Sequence, residues 1–324
     1  MSVREDELGG QADVANALAA MAEAEDPRAG IRERFLTPSI GGGRTVAVLA
    51  TPLGEIRDTG WVICHSYGAE QVNLATHEVP VARRLAAAGF PVLRFHGQGY
   101  GDSELPPVGV CMASHLRDAR DAAAVVLDAT GVQKLAFFGA RFGGTMAALA
   151  ANELGAEAFV AWDPVIRGRS YARTLLTLSV MLQLMHGDRG GDAAPSPERV
   201  LLEKGVLDVQ GFPLSRTLYE ELLDLDLPGR IDAFGGRSLV VQVSKRPEPQ
   251  AELQRLAERV RDLGGTGDFE VIVDDRANSF AEPRFRPAPG GRKVDIQEGL
   301  SRRLVSLTVD WAAASDVPVA EAGP

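Results

Sequence analysis

At 324 residues, 45% of them apolar and 24% charged, the chain has an ordinary globular composition and can bury one large core or two smaller ones. The 34 Lys plus Arg against 44 Asp plus Glu give a formal charge of −10, which argues against nucleic acid or an anionic membrane surface as a partner. Cys64 and Cys111 are too few for a disulfide scaffold or a four-cysteine metal site, and no apolar run is long enough to span a bilayer. The expectation is a cytoplasmic protein without signal peptide, membrane insertion, metal or cofactor.

In chain order, residues 1–30 read as a flexible tail, because the pattern is weak and Asp26-Pro27 bounds it. A hairpin-like pair follows, Ile31–Ser39 and Arg44–Thr51, turned at Gly41-Gly42-Gly43. From Trp61 the pattern alternates: strand Trp61–Cys64, helix Gln71–Ala88, strand Pro91–Phe95, helix His115–Thr130, strand Leu135–Phe138, helix Thr145–Leu154 and strand Ala158–Trp162. Continuous apolar strands between amphipathic helices predict a parallel sheet covered on both faces. The alternation breaks over 164–229, which holds the apolar stretch 174–185 and a helical pattern near Leu214–Leu225, and which reads as a helical cap inserted into the core 31–163 and 230–314. Sheet grammar resumes at Ser238–Val243, and residues 315–324 read as a C-terminal tail.

The most informative segment is Gly139-Ala140-Arg141-Phe142-Gly143, which an apolar strand enters and a small-residue helix leaves. That is the setting of the G-x-S-x-G nucleophile elbow of α/β hydrolases. Its central residue here is Arg141, a permanently charged guanidinium that offers no nucleophilic lone pair. Cys64-His65-Ser66-Tyr67-Gly68 ends the first parallel strand, where that fold carries an oxyanion amide. Gly97-Gln98-Gly99-Tyr100-Gly101-Asp102-Ser103 follows the next strand.

With Tyr67-Gly68-Ala69-Glu70-Gln71-Val72-Asn73, Trp162-Asp163-Pro164-Val165 and Val209-Gln210-Gly211-Phe212 added, the chain resembles the exosortase A system-associated hydrolase 2 group of the serine-aminopeptidase-like α/β hydrolases over roughly 45–310. The resemblance implies an α/β-hydrolase fold with Arg at the elbow. It leaves the reaction open, and His65-Ser66 stands where that group usually has prolines. The triad also fails on its other members. The histidines are 65, 77, 96, 115 and 186, so none follows the cap, and no carboxylate comes after Val240–Val243 until Glu248.

The fold's strand order would bring the ends at His96, His65, Arg141 and Asp163 together at the carboxyl edge, where open α/β sheets bind ligands. Glu70 and Asp163 are the candidate counter-ions of Arg141, and a sealed ion pair competes with an open anion receptor. The amides of Phe142, Ser66 and Tyr67 could leave a residual anion pocket. His65 and His96 are candidate bases, satisfied edge histidines or zinc ligands, the last with no third ligand in view. Three functions follow as alternatives. The first is a triad-less protein binding an acyl, carboxylate or glycan-linked small molecule under its cap, with Ser66, Tyr67, Glu70, Phe142 and Asp163 as ligand-binding residues. The second is an enzyme using a non-covalent mechanism through Arg141 with His65 or His96. The third is an assembly partner, for instance a homodimer formed through the cap.

Overall fold

The computed structural model of the chain describes residues 22–185, 195–277, 280–282, 285–287 and 293–314. It opens with β1 (Glu23–Asp26), β2 (Ile31–Leu36), the small hairpin β3 (Ser39–Ile40) and β4 (Gly43–Arg44), and β5 (Ala47–Pro52). Strands and helices then alternate: β6 (Thr59–Cys64), α1 (Ala69–Ala87), β7 (Val92–Phe95), α2 (Met112–Thr130), β8 (Lys134–Ala140), α3 (Phe142–Leu154) and β9 (Ala158–Trp162). The insertion holds α4 (Gly168–Met185), α5 (Pro197–Lys204), a hairpin of β10 (Val206–Val209) and β11 (Phe212–Ser215), α6 (Arg216–Leu223) and α7 (Leu227–Arg230). After it come β12 (Arg237–Ser244), α8 (Ala251–Asp262), β13 (Thr266–Val273), the short pair β14 (Phe285–Pro287) and β15 (Lys293–Asp295), and α9 (Glu298–Ala313).

Nine strands form the main sheet in the order β1-β2-β5-β7-β6-β8-β9-β12-β13. The run from β7 to β13 is parallel, and β1, β2 and β5 add an antiparallel edge. Successive strand residues serve opposite faces, as the period of two requires. Val62, Cys64 and Phe137 pack with Val126 of α2 and Met146 of α3. Trp61, Ile63 and Phe138 pack with Leu74 of α1 and Leu304 of α9. Both faces are therefore dry, which is why the strands read as unbroken apolar runs.

Three elements depart from the sequence reading. Residues 23–26 are a strand paired antiparallel with β2, not part of a flexible tail, and 27–30 are the turn between the two; residues 1–21 of the expected tail lie outside the described residues, as does 315–324. All four residues of β1 are exposed, so no apolar alternation announced it. The insertion is also not purely helical. Gln210 (φ 58°) and Gly211 (φ 85°) make the two-residue turn with both φ positive that favours a hairpin, and the helix begins only after it, capped by the Ser215 hydroxyl on the Leu218 amide at 3.0 Å. Finally, α3 begins at Phe142, immediately after the elbow, three residues earlier than the sequence suggested. The Ser215 hydroxyl donates to the Val110 carbonyl at 2.8 Å, which ties the insertion to the core at the carboxyl edge.

Candidate functional site

The elbow is built as tightly as its sequence suggests. Arg141 sits between β8 and α3 at φ 52° and ψ −126°, a conformation costly for a non-glycine residue and held here by its surroundings. Its amide donates to the Trp162 carbonyl at 2.8 Å, and its carbonyl accepts from Gly144 at 3.0 Å. The flanking glycines are there for space. A Cβ on Gly139 would lie 2.2 Å from the Gly143 carbonyl oxygen, and one on Gly143 would lie 2.3 Å from the Cys64 carbonyl oxygen. The turn therefore closes onto the end of β6, one strand away in the sheet.

The guanidinium projects into a cluster of opposite charge. Nη1 donates to Asp163 Oδ2 at 2.7 Å and to the Asp163 carbonyl at 3.2 Å, and Nε reaches Glu70 Oε1 at 3.4 Å. The sequence left a choice between Asp163 and Glu70; the structure puts both on Arg141. Asp163 is itself at φ 45°, at the end of β9, with its amide on the Val241 carbonyl at 2.6 Å. Glu70, in the first turn of α1, is held on its other oxygen by two hydroxyls, Tyr171 at 2.9 Å and Ser66 at 3.1 Å. Burial works against the charge on Arg141, but Glu70 and Asp163 outweigh it and hold its pKa above the ordinary value. Burial pushes the Asp163 carboxyl up, with Arg141 pulling it back down, and pushes the Tyr171 hydroxyl well up, reinforced by Glu70. Two carboxylates and one guanidinium leave the cluster with a net negative charge.

The remaining candidates are held by other partners. The Ser66 amide donates to Gln71 Oε1 at 2.6 Å, so it does not contribute to the anion pocket that the sequence suggested. Phe142 is fully buried and stacks on Tyr171 with ring centroids 5.8 Å apart, while Tyr67 meets its edge at 6.3 Å. His65 is buried among Phe95, Tyr100 and His115, and its Nδ1 faces the Ser66 carbonyl at 3.0 Å. Burial and neighbouring His115 push its pKa down to about 3, and burial pushes His115 down to about 4. His96 receives the Asp102 amide on Nδ1 at 3.1 Å. Neither histidine bonds to the guanidinium among the described residues. No group of three His, Cys, Asp or Glu side chains among the described residues is placed to hold a metal ion. No helix among them is long and apolar enough to cross a membrane.

Above the cluster lies a cavity of about 260 Å³, lined by Arg141 and Asp163 from the core, Ser170, Tyr171 and Thr174 from α4, and Gln250 beside α8. Arg167 pairs with Glu252 at 2.5 Å on its rim. Arg141 Nη2 is the one guanidinium nitrogen without a bond to a described residue. Sequence reasoning missed Tyr171, Ser170, Thr174 and Gln250. Nothing local marks them, since Ser170, Tyr171 and Thr174 join the site only when the insertion folds back over β9, and Gln250 only when β12 pairs beside β9.

No family model and no curated protein matches the sequence. Solved structures do match. Est1E of Butyrivibrio proteoclasticus, with ferulic acid bound, superposes with a TM-score of 0.58 at 15% identity, over 86% of this chain and 99% of that one. An esterase of Pyrococcus furiosus gives 0.55 at 13% identity, over 90% and 94%. Carboxyl esterase 2 of the fungus Tuber melanosporum gives 0.51 at 14%, over 90% and 88%. At these identities the likeness is one of architecture. With its mostly parallel sheet, its helices on both faces and its strand–elbow–helix turn, the chain has the α/β-hydrolase fold.

Proposed function

We propose that this chain is a triad-less α/β-hydrolase-fold protein, allied to the exosortase A system-associated hydrolase 2 group, that holds a small molecule non-covalently beneath its cap. The observation that carries this reading is the position of Arg141, a doubly paired guanidinium at the nucleophile's place with an open cavity over it. A guanidinium cannot form an acyl-enzyme, and the sequence has no histidine after position 186 to serve as the triad base. Among acyl, carboxylate and glycan-linked ligands, the net negative cluster disfavours a free carboxylate. The polar side of the lining, Ser170, Thr174, Gln250 and the free Nη2, faces apolar Val165, Ile166 and Leu253, and this mixture favours a neutral, hydroxyl-rich body of the glycan-linked kind with an apolar part. General-base chemistry through His65 has against it the burial of the ring and its low proton affinity.

The test combines a fluorophosphonate probe with thermal shift measurements. The expected result is no covalent adduct on the wild type, no esterase gained by Arg141→Ser, and a rise in melting temperature with neutral oligosaccharides but not with citrate or phosphate. A stoichiometric adduct on Ser or Thr would overturn the loss of covalent chemistry. A citrate-induced rise that disappears in Arg141→Met would restore the anion-receptor reading.

A further inference from the structure

Tyr171 and Thr174 of α4 line two spaces, the cavity over Arg141 and a smaller slot of about 30 Å³ beside it. The slot lies between cap and core, with Leu175, Leu178 and Val209 on the cap side and Gly68 and Glu70 at the start of α1. Glu70 is the one charged residue among the described residues that line it. Its side chain is 21% exposed, so the partners it has do not seal it.

Those partners also leave Glu70 acceptor capacity. An ionised carboxylate offers about four lone-pair sites. Glu70 uses two on Oε2, for the Tyr171 and Ser66 hydroxyls, and meets Arg141 on Oε1 only at 3.4 Å. The two hydroxyls of α4 have already committed their protons, Tyr171 to Glu70 at 2.9 Å and Thr174 to the Ser170 carbonyl at 3.1 Å. Each keeps lone pairs and has no proton to give, so a polar group that meets them must bring the hydrogens.

Charge and shape point the same way. Glu70 and Asp163 outweigh Arg141 by one unit, and Asp208, which accepts the Gly211 amide at 3.2 Å in the hairpin turn, adds negative charge on the cap side. The positive end of α1 offsets about half a unit of this. A primary ammonium restores the balance, and its three donors match one carboxylate and two hydroxyl oxygens. A metal ion would meet three aliphatic side chains where it needs oxygens, whereas the carbon next to an amine packs against them. The volume is two to three times the ~10–15 Å³ that one water requires, which admits an ammonium with its first carbons and excludes a quaternary ammonium.

We infer that the slot is a subsite for a primary ammonium carried by the ligand, seated on Glu70 with the Tyr171 and Thr174 hydroxyls as further acceptors. This rests on the non-covalent binding reading above and narrows it to amine-bearing, hydroxyl-rich molecules of the amino-sugar kind, whose uncharged part occupies the cavity over Arg141.

The experiment is calorimetric titration of the full-length protein at pH 6, where amines carry their proton, with glucosamine, N-acetylglucosamine, butylammonium and tetramethylammonium as probes. Leu178→Phe fills the slot from the cap and leaves the Arg141 cluster intact, while Glu70→Gln removes the charge. Wild type should bind glucosamine at least about tenfold more tightly than N-acetylglucosamine, the worth of one charged hydrogen bond, and should take butylammonium but not tetramethylammonium. Both variants should erase the preference for glucosamine. If Glu70→Gln does not fold, Leu178→Phe decides, together with Thr174→Val, which should weaken glucosamine a few-fold. Equal affinity for the two sugars, a preference that survives Leu178→Phe, or tetramethylammonium binding as tightly as butylammonium would overturn the subsite and leave the binding reading in place. Butylammonium binding that Leu178→Phe abolishes, without binding of either sugar, would keep the subsite and overturn the hydroxyl-rich body instead. Failure of both glucosamine and butylammonium to bind the wild type would overturn the inference.

Discussion

Replacing Arg141 with methionine removes the one positive charge that Asp163 and Glu70 share. The two carboxylates lie 2.7 and 3.4 Å from the guanidinium and would be left facing each other. The three side chains are 27%, 21% and 21% exposed, so solvent screens the interaction only in part. Breaking a buried pair by removing one partner costs about 3–5 kcal/mol; partial exposure favours the lower end, about 3 kcal/mol at pH 8. The pH dependence has a definite sign. Without Arg141, the folded-state pKa of Asp163, already pushed up by burial, rises further above its unfolded value. The protonated carboxyl is then the form that suits the fold, so the variant's deficit should shrink at pH 5 and be largest at pH 8. The triple variant Arg141→Met, Glu70→Gln, Asp163→Asn replaces the charges with neutral groups and should recover at least half the loss. Asp163→Asn alone should cost more than Glu70→Gln, since the shorter contact is the one it removes. Urea unfolding followed by far-UV circular dichroism at the two pH values measures all of these. A loss under about 1 kcal/mol for Arg141→Met at pH 8, unchanged at pH 5, would show that the cluster does not hold the elbow as argued.

Glu78 of α1 is buried with Oε1 unpaired, and burial carries its pKa up to about 7 against an ordinary 4.5. The folded state thus holds the proton more tightly, and stability present below about pH 4.5 should be lost by pH 7, by roughly 3 kcal/mol. Glu78→Gln should match wild type at pH 4.5 and exceed it at pH 8; equal unfolding midpoints at pH 8 would contradict this. Gly143→Ala would place a methyl 2.3 Å from the Cys64 carbonyl oxygen and 2.9 Å from the His65 carbonyl carbon, both backbone atoms that cannot swing away. A loss of about 2–3 kcal/mol in thermal unfolding is expected, and a wild-type melting temperature would refute the close approach of the elbow to β6.

The architecture was readable because its signals are local. Apolar runs such as Trp61–Cys64 and Leu135–Phe138 can be buried on both faces only in a covered parallel sheet, and Gly139 and Gly143 bracket Arg141 at the spacing a sharp strand-to-helix turn needs. From that topology and the rule that a buried charge needs a partner, Asp163 and Glu70 could be named before any coordinates. The missed strand β1 carries only exposed residues, so its sole signal is the backbone pairing with β2, which is a long-range event. The hairpin at Gln210-Gly211 was hidden because Leu214, Leu218 and Leu222 also satisfy helical spacing, and only the last two lie in a helix. At the site, tertiary structure decided that both carboxylates bind Arg141 and that the bonds of His65 and His96 do not run to it. It also decided that Tyr171, 101 residues along the chain from Glu70, closes the cluster. A residue's own sequence neighbourhood determines which element it joins, through periodicity and turn chemistry. Which side chains meet across elements depends on how the insertion folds over the sheet edge, and the packing that directs this is shared among residues far apart in sequence.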